Sequence, residues 1–319
     1  MFNLFKIAVN AFRESLREPV YVLMFLAALL LIAPYPTISV FVFSEQLKLV
    51  VDSFMATSLL FGLVIAVLSA SHTVAREMRN GTVLLLLSKP VHRWSFVLGK
   101  IFGIMAAAML FVTVCNLGGI AAIYVATDQF RFEIWLYLVF LGVIALGCVF
   151  GMVMNFWRGS SFPETASYAL AVLVTGLAIF CYWHCPAPSI KLGDLGRALL
   201  LVNFSVAAMT TIAVVAATRL DVVPNLCVCC VIFFLGLMSS YLFQRTTGVA
   251  ALDILCGLCY AVLPNWQFFW LVDAIAMNRP IPWSYVGWAA LYVFLYTLLA
   301  SLWAVAVFQN REPAGDARD

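Results

Sequence analysis

Apolar residues in this chain occur in long runs that are separated by short polar segments. Eight of the runs contain 18 to 27 residues each, and roughly 20 apolar residues are enough for a helix to cross the hydrocarbon core of a bilayer. The pattern therefore predicts an all-α polytopic membrane protein with about eight transmembrane helices. The predicted spans are Val20–Phe43, Ser53–Ala75, Ile101–Thr127, Ile134–Trp157, Ala166–Trp183, Ala198–Ala217, Leu226–Phe243 and Ser284–Phe308.

The composition supports this class and adds a prediction about domains. The 319 residues are 65% hydrophobic and 10% charged, and no soluble core of this size takes up so much apolar surface. Polar stretches are too short for a second domain, so we expect residues 1–319 to form a single transmembrane domain with a polar tail at 309–319. The basic residues lie beside the spans, where lipid head groups account for them, so no nucleic-acid partner is expected.

The first 19 residues are predicted to form an amphipathic helix that lies in the membrane interface. Apolar and polar residues follow each other at helical spacing in this segment. Pro19 then ends the helix, so that the chain can turn from running along the membrane to running through it. The apolar stripe consists of Phe5, Val9, Phe12 and Leu16, and the neighbouring polar stripe of Lys6, Asn10, Arg13 and Arg17.

The loop between the second and third spans, residues 76–100, has an unusual composition. The stretch from His72 to Lys100 carries five of the eighteen Lys and Arg residues, and so basic a loop is expected in the cytoplasm. Inside it, Val83–Leu87 is a run of five apolar residues. Because such a run is sticky when it is exposed to water, we expect a partner protein to cover it.

Residues 244–283 form an outer segment that is predicted to be re-entrant. Val249–Leu263 and Trp266–Met277 are two apolar halves, with a break at Pro264 and Asn265. Two half-length helices fit a re-entrant pair better than a full span. One additional crossing, which would give nine spans, is the alternative.

The distribution of basic residues predicts the orientation. With eight spans both termini lie on one side, and placing them in the cytoplasm puts twelve of the eighteen Lys and Arg residues there. This bias agrees with the positive-inside rule. We therefore expect a multi-pass protein of the cell membrane with both termini in the cytoplasm.

Two kinds of functional group are missing from the sequence, and this limits the classes of function that we expect. The predicted spans contain no Asp, Glu, Lys or Arg, whereas ion-coupled transporters and intramembrane enzymes need ionisable groups at membrane depth. A phosphate-binding loop is also missing, since Gly99-Lys100 has neither the upstream glycine nor the following Ser or Thr. The chain is thus predicted not to be an enzyme, and any transport must draw its energy from another chain.

The residues around the cytoplasmic loop resemble the permease subunit of type-2 ABC exporters, in the branch named for multicopper-enzyme maturation. Members of that family usually have six spans, and the fourth and fifth predicted spans of this chain look like an added pair. The resemblance implies an N-terminal connecting helix, a re-entrant pair before the last span, a dimer of permeases and a separate ABC-type ATPase. It rests on Arg17-Glu18-Pro19, Glu77, Gly81, Thr82, Leu84–Leu87, Ser88, Lys89, Pro90, Arg93, Gly99 and Lys100, with weaker echoes at Thr218-Arg219-Leu220 and Leu263-Pro264.

By this resemblance, the loop contains a coupling helix that docks on the ATPase. Each residue also has a simpler explanation: Glu77 fits an ordinary charged membrane edge, Gly81 a helix C-cap and Pro90 a helix break. The expected coupling residues are Glu77, Gly81, Thr82, Leu84, Leu85, Leu86, Leu87, Lys89, Pro90 and Arg93, and those of the interfacial helix are Phe5, Phe12, Arg13, Arg17 and Pro19.

The leading hypothesis is an exporter subunit for an amphiphilic, lipid-like or peptide cargo. The alternative is a membrane anchor or assembly factor that holds a partner complex without transport. No cofactor and no metal site are expected, because the histidines lack further ligands at suitable spacing. Cys181 and Cys185 are interpreted as packing residues, with an outer disulfide as the alternative.

Overall fold

The computed structural model describes residues 2–42, 46–76, 93–127, 131–243, 253–254, 256–257, 260, 262–277 and 279–309. These residues are almost wholly helical, which confirms the predicted class. A two-residue antiparallel pair of β1 (Ala126–Thr127) and β2 (Arg131–Phe132) joins two of the long helices. The helices are α1 (Phe2–Arg17), α2 (Pro19–Ile32), α3 (Tyr35–Ser39), α4 (Gln46–Ala70), α5 (Arg93–Val125), α6 (Ile134–Arg158), α7 (Phe162–His184), α8 (Leu192–Ala217), α9 (Val222–Leu237), α10 (Ser239–Phe243), α11 (Val272–Ala276) and α12 (Trp283–Gln309).

Seven helical segments in the described chain are long and apolar enough to cross a membrane, and they correspond to the first six predicted spans and the last one. A π-helical turn, Ser71–Ala75, extends α4. Four of these helices, α4, α5, α7 and α8, begin several residues before the apolar runs, and their N-terminal parts carry ionisable residues that the predicted spans left out. The crossing segments are Pro19–Ser39, Gln46–Val74, Trp94–Val125, Ile134–Arg158, Phe162–His184, Leu192–Ala217 and Trp283–Ala306.

The predicted seventh span, Leu226–Phe243, differs from the structure. Helix α9 has 16 residues and ends at Leu237, which at 1.5 Å per residue covers about 24 Å, less than the roughly 30 Å of hydrocarbon. Just before the end of α9 the backbone lies in a close contact. A Cβ at Gly236 would overlap the carbonyl oxygen of Pro264 and the ring of Trp266. The described chain therefore has seven full-length spans, and α9 is an apolar helix too short to count as an eighth.

The segment before the last span is also shorter than predicted. Pro264 and Asn265 do interrupt the helical conformation, as expected. Beyond them, however, the predicted half-helix Trp266–Met277 is a 3₁₀ turn, Trp266–Phe269, followed by the five-residue α11. No helix of spanning length occurs among the described residues of 244–283, so a ninth crossing is not seen there.

Three helices, α4, α5 and α8, form the centre of the bundle. Between 61% and 78% of the apolar part of each is buried, whereas the corresponding share is 22% for α6 and for α12. A close approach at Gly62 brings the three together, since a Cβ there would overlap the side chain of Val112 and touch that of Val206 at 3.0 Å. The remaining spans pack around this centre.

The ends of the helices define two ends of the bundle. We call the end that holds α1, the C-terminal end of α4 and the first turns of α5 and α7 the α1 end. The opposite end holds the first turn of α8 and the short helices around Trp266.

Candidate coupling site

Most of the predicted coupling residues lie outside the described residues. The structure describes instead the two stems of the loop, which are the π turn with Arg76 on one side and the first turns of α5 on the other. Arg93 is the first residue of α5. The residues outside the description are Glu77, Gly81, Thr82, Leu84, Leu85, Leu86, Leu87, Lys89 and Pro90.

Helix α1 packs directly on the α5 stem because two glycines of α5 leave room for it. A Cβ at Gly103 would overlap the carbonyl oxygen of Ala8 and lie 2.7 Å from the Cβ of Ala11. A Cβ at Gly99 would lie 2.7 Å from the side chain of Ile7. Small residues four positions apart thus let the two helices approach backbone to backbone.

This contact shows that α1 has a wider apolar face than the sequence analysis described. The predicted stripe ends at Leu16, which is fully buried in the bundle, while Phe12 packs against the core. Phe5, at the other end of the stripe, is 69% exposed. The face that touches α5 lies next to this stripe, so α1 has one apolar side toward the protein and another, around Phe5, toward the surroundings.

Pro19 follows the end of α1, where the sequence predicted a break, and it lies in the first turn of the next helix. It occupies the N-terminus of α2, and Glu18 before it is extended, with φ −66° and ψ 128°. Proline disfavours helical conformation in the preceding residue, so the change of direction between α1 and α2 occurs at this position. Arg13 and Arg17 are exposed on the polar side of α1.

Among the described residues, three ion pairs connect the end of α1 and the residue directly after it to three other segments. Glu14 accepts a hydrogen bond from Lys100 of α5 at 2.9 Å, and the Lys100 side chain is only 3% exposed. Glu18 accepts one from Arg76, directly after the π turn, at 3.2 Å. Both stems of the loop are therefore attached to acidic residues at the end of α1, one within its last turn (Glu14) and one directly after it (Glu18).

The third ion pair leads to the first turn of α7. Arg17 donates to Glu164 at 2.7 Å, and Ser161 donates to the same carboxylate oxygen at 3.1 Å. The hydrogen bond and the charge of Glu164 raise the pKa of Arg17. The Arg17 side chain is 60% exposed, so solvent screens this pair more than it screens the pair with Lys100.

Sequence reasoning did not assign ion-pair roles to the acidic members of these pairs. Glu14 and Glu164 were not singled out, because the predicted orientation used only the basic residues, and Glu18 was named only as part of the Arg17-Glu18-Pro19 resemblance. The sequence does show both acidic residues close to Pro19, where the predicted helix ends, and this is a signal for groups that could bind the bases of the neighbouring loop.

The two outer cysteines, which are the candidates for a disulfide, lie at the opposite end of the bundle. Cys181 is buried, Cys185 is partly buried, and both are free thiols. In the described part of the chain, no three His, Cys, Asp or Glu residues come together in a way that could hold a metal ion.

The fold and the α1 end define a multi-pass membrane protein whose N-terminal helix is attached to both stems of one polar loop. Residues 5–180 match the model of the family described as ABC-2 family transporter protein, and the chain belongs to this family. It is thus a permease component of an ABC transporter, a class that associates with an ABC ATPase subunit. The chain has no significant match among curated proteins.

The family match covers both stems of the loop and the residues of the three ion pairs. It begins at residue 5, inside α1, and ends at residue 180, inside α7 and before α8. That the fourth and fifth spans are an added pair stays a prediction.

Proposed function

We propose that this permease couples ATP hydrolysis by a separate ATPase subunit to the export of an amphiphilic, lipid-like or peptide cargo, together with a second permease. One observation carries the proposal: ion pairs attach both stems of the polar loop to the C-terminal end of α1, one at Glu14 within the helix and one at Glu18 directly after it. A force on the loop is then passed to α1, and α1 contacts the spans α5 and α7.

In this mechanism the ATPase binds the loop between the stems. Val83–Leu87 provides the apolar anchor, since an apolar run of this length needs a cover in the cytoplasm. Glu77 and Arg93 make polar contacts with the ATPase, and Gly81 and Pro90 shape the loop. Gly81 and Pro90 keep their ordinary roles as helix-ending residues, which are compatible with docking.

The movement of the loop passes to the bundle through α1. The α5 stem moves with α1 because Gly99 and Gly103 let the two backbones touch, and the Arg17–Glu164 pair extends the connection to α7. ATP-driven closure of two ATPase subunits would thus change the packing of α5 and α7. A displacement of the loop would pass directly to α5 and α7, because each of them is joined to α1 by a backbone contact or by an ion pair.

The interior of the bundle supports an amphiphilic cargo rather than a small ion. Ionisable side chains of the described spans lie near helix ends, while the middle of α5 and α8 carries neutral polar residues. Thr113 there donates to Asn203 at 3.0 Å. Neutral hydrogen-bonding groups suit a cargo with apolar and polar parts, and we do not extend the proposal to copper.

The test combines co-purification with ATPase kinetics. The full chain is purified from its own membranes with any ATPase that accompanies it and reconstituted in liposomes. We expect co-purification and an ATP turnover that falls at least fivefold in Glu77→Ala and Leu85→Asp. Co-purification with unchanged turnover in both variants would contradict coupling and favour the anchor that holds a partner without transport.

A further inference from the structure

The π turn at the end of α4 is attached to the rest of the bundle by one side chain of α9. The amide of Asn225 donates to the hydroxyl of Ser71 at 2.8 Å and to the carbonyl oxygen of Ala213 at 3.2 Å. Cys229 in turn donates to the amide oxygen of Asn225 at 3.4 Å. One amide therefore joins the π turn, α8 and α9.

Burial makes these hydrogen bonds important for the local geometry. Asn225 and Ser71 are both fully buried, and a buried polar group that loses its partner costs the full desolvation of that group. Thr73, the other hydroxyl of the π turn, is buried without a hydrogen-bond partner. Ser71 is thus the hydroxyl through which the turn is held in place.

The π conformation matters for the ion pair that follows it. A π turn contains one residue more than an α turn, and one residue corresponds to a rotation of about 100° around a helix axis. Converting Ser71–Ala75 to α-helix would therefore turn Arg76 away from Glu18, with which it pairs at 3.2 Å. The pairing of Arg76 with Glu18 therefore depends on keeping the turn as it is.

We propose that Asn225 is a positioning residue for the coupling loop, because its amide holds the π turn in the register that directs Arg76 to Glu18. This inference rests on the proposed function of the loop. It assigns a role in coupling to α9, which lies outside the part of the chain that matches the family.

The first test needs only the permease. Hydrogen–deuterium exchange is measured on the purified chain in lipid nanodiscs, for Asn225→Ala, Ser71→Ala and Ser71→Thr. We expect exchange of the amides of 71–76 to rise about tenfold in Asn225→Ala and about threefold in Ser71→Ala. Ser71→Thr keeps the hydroxyl and should stay close to the unchanged chain.

The matched control is Asn203→Ala. Asn203 is also a buried asparagine that bonds to a hydroxyl and to a backbone carbonyl, but it lies in the middle of α8. We expect this variant to lower the thermal stability of the chain without raising exchange in 71–76. Equal exchange of 71–76 in Asn203→Ala and Asn225→Ala would overturn the proposal, since the effect would then be general loosening of the bundle.

The second test uses the complex with the co-purified ATPase. Asn225→Ala and Ser71→Ala should each lower the maximal ATP turnover at least threefold, and the double variant no more than the stronger single one. The amount of bound ATPase should not change. Turnover within 1.5-fold of the unchanged complex in Asn225→Ala, or effects that multiply in the double variant, would overturn the positioning role.

The two proposals fail in different ways. If Leu85→Asp lowers turnover and Asn225→Ala does not, the loop couples without Asn225. If no ATPase binds the chain at all, the proposed function fails, while exchange in 71–76 still decides whether Asn225 holds the π turn.

Discussion

The two ends of the bundle use charged residues in different ways. At the α1 end, the described residues form three ion pairs that join α1 and the adjoining Glu18 to α5, to Arg76 after the π turn and to α7, which are distant in sequence. At the opposite end, Asp194 and Arg197 pair within α8 at 2.7 Å, three residues apart. That pair acts on its surroundings through the backbone, since Arg197 donates to the carbonyl of Ile281 and Asp194 accepts from its amide.

Aromatic packing completes the opposite end. The guanidinium of Arg197 lies 5.0 Å from the ring centre of Trp283, and Trp266 is almost fully buried. Asn265 caps the 3₁₀ turn and donates to Ser240 at 3.0 Å. The segment before the last span is thereby fixed to α8 and to the α9–α10 junction.

The two kinds of contact should respond differently to a force. At the α1 end, ion pairs between separate helices let those helices move together, whereas at the opposite end backbone hydrogen bonds and buried aromatic rings hold one segment in a single place. We infer that the α1 end transmits movement and that the opposite end serves as a fixed support.

The largest effect should come from filling the contact between α1 and α5. Gly103→Ala would drive a methyl group into the backbone of Ala8, and overpacking of this kind costs about 1–3 kcal/mol. Unfolding in detergent, followed by tryptophan fluorescence, measures the loss. Gly142→Ala is the matched control, because a Cβ there meets nothing within 4 Å; an equal loss in both variants would contradict the close contact.

Removing the buried base of the α1 end should have the next largest effect. Lys100→Met leaves Glu14 without this partner in a partly buried site, and we expect a loss of about 2 kcal/mol, below the 3–5 kcal/mol of a fully buried pair because Glu14 is partly exposed. The double variant with Glu14→Gln should recover about half of the loss. If the two effects simply add, the ion pair does not stabilise the attachment of α1.

At the opposite end, Asp194→Ala should act locally. It removes the acceptor for the Ile281 amide and the partner of Arg197, which we expect to cost about 1–2 kcal/mol. Hydrogen exchange should rise at residues 279–283, while the ATP turnover of the complex stays within a factor of two. A loss of turnover as large as that of Leu85→Asp would show that this end also takes part in coupling.

The smallest effect is expected for the exposed pair at α7. Arg17→Ala should cost less than about 1 kcal/mol, since surface ion pairs are weak. Its effect on stability should vanish at high salt, where exposed charges are screened. A larger, salt-independent loss would indicate that Arg17 stabilises the helix by packing rather than by charge.

Much of the fold could be predicted because a long apolar run has few alternatives in a membrane protein. Seven spans, the helix before Pro19 and the break at Pro264 all follow from residue type and spacing alone. The interruption of α9 could not be predicted in the same way. It lies beside the close approach of Gly236 to Trp266, two residues that only the folded chain brings together.

The site shows the same limit. The sequence marked the polar loop and its flanking residues, and these remain predictions outside the described residues. It did not reveal the partners of the bases, since Arg17 and Glu164 are 147 residues apart and only the packing of α1 against α7 makes them neighbours. Ser71 and Asn225, 154 residues apart, were missed for the same reason.

Site-specific photo-cross-linking in intact cells tests the central claim most directly. A photoreactive residue replaces Leu85 in the loop or, as a control, Trp288, which is 71% exposed on α12. We predict that position 85 forms an adduct with an ABC ATPase and that position 288 does not. No ATPase adduct from position 85, in cells where the same method captures the ATPase dimer, would contradict the proposal that this loop receives the energy of ATP hydrolysis.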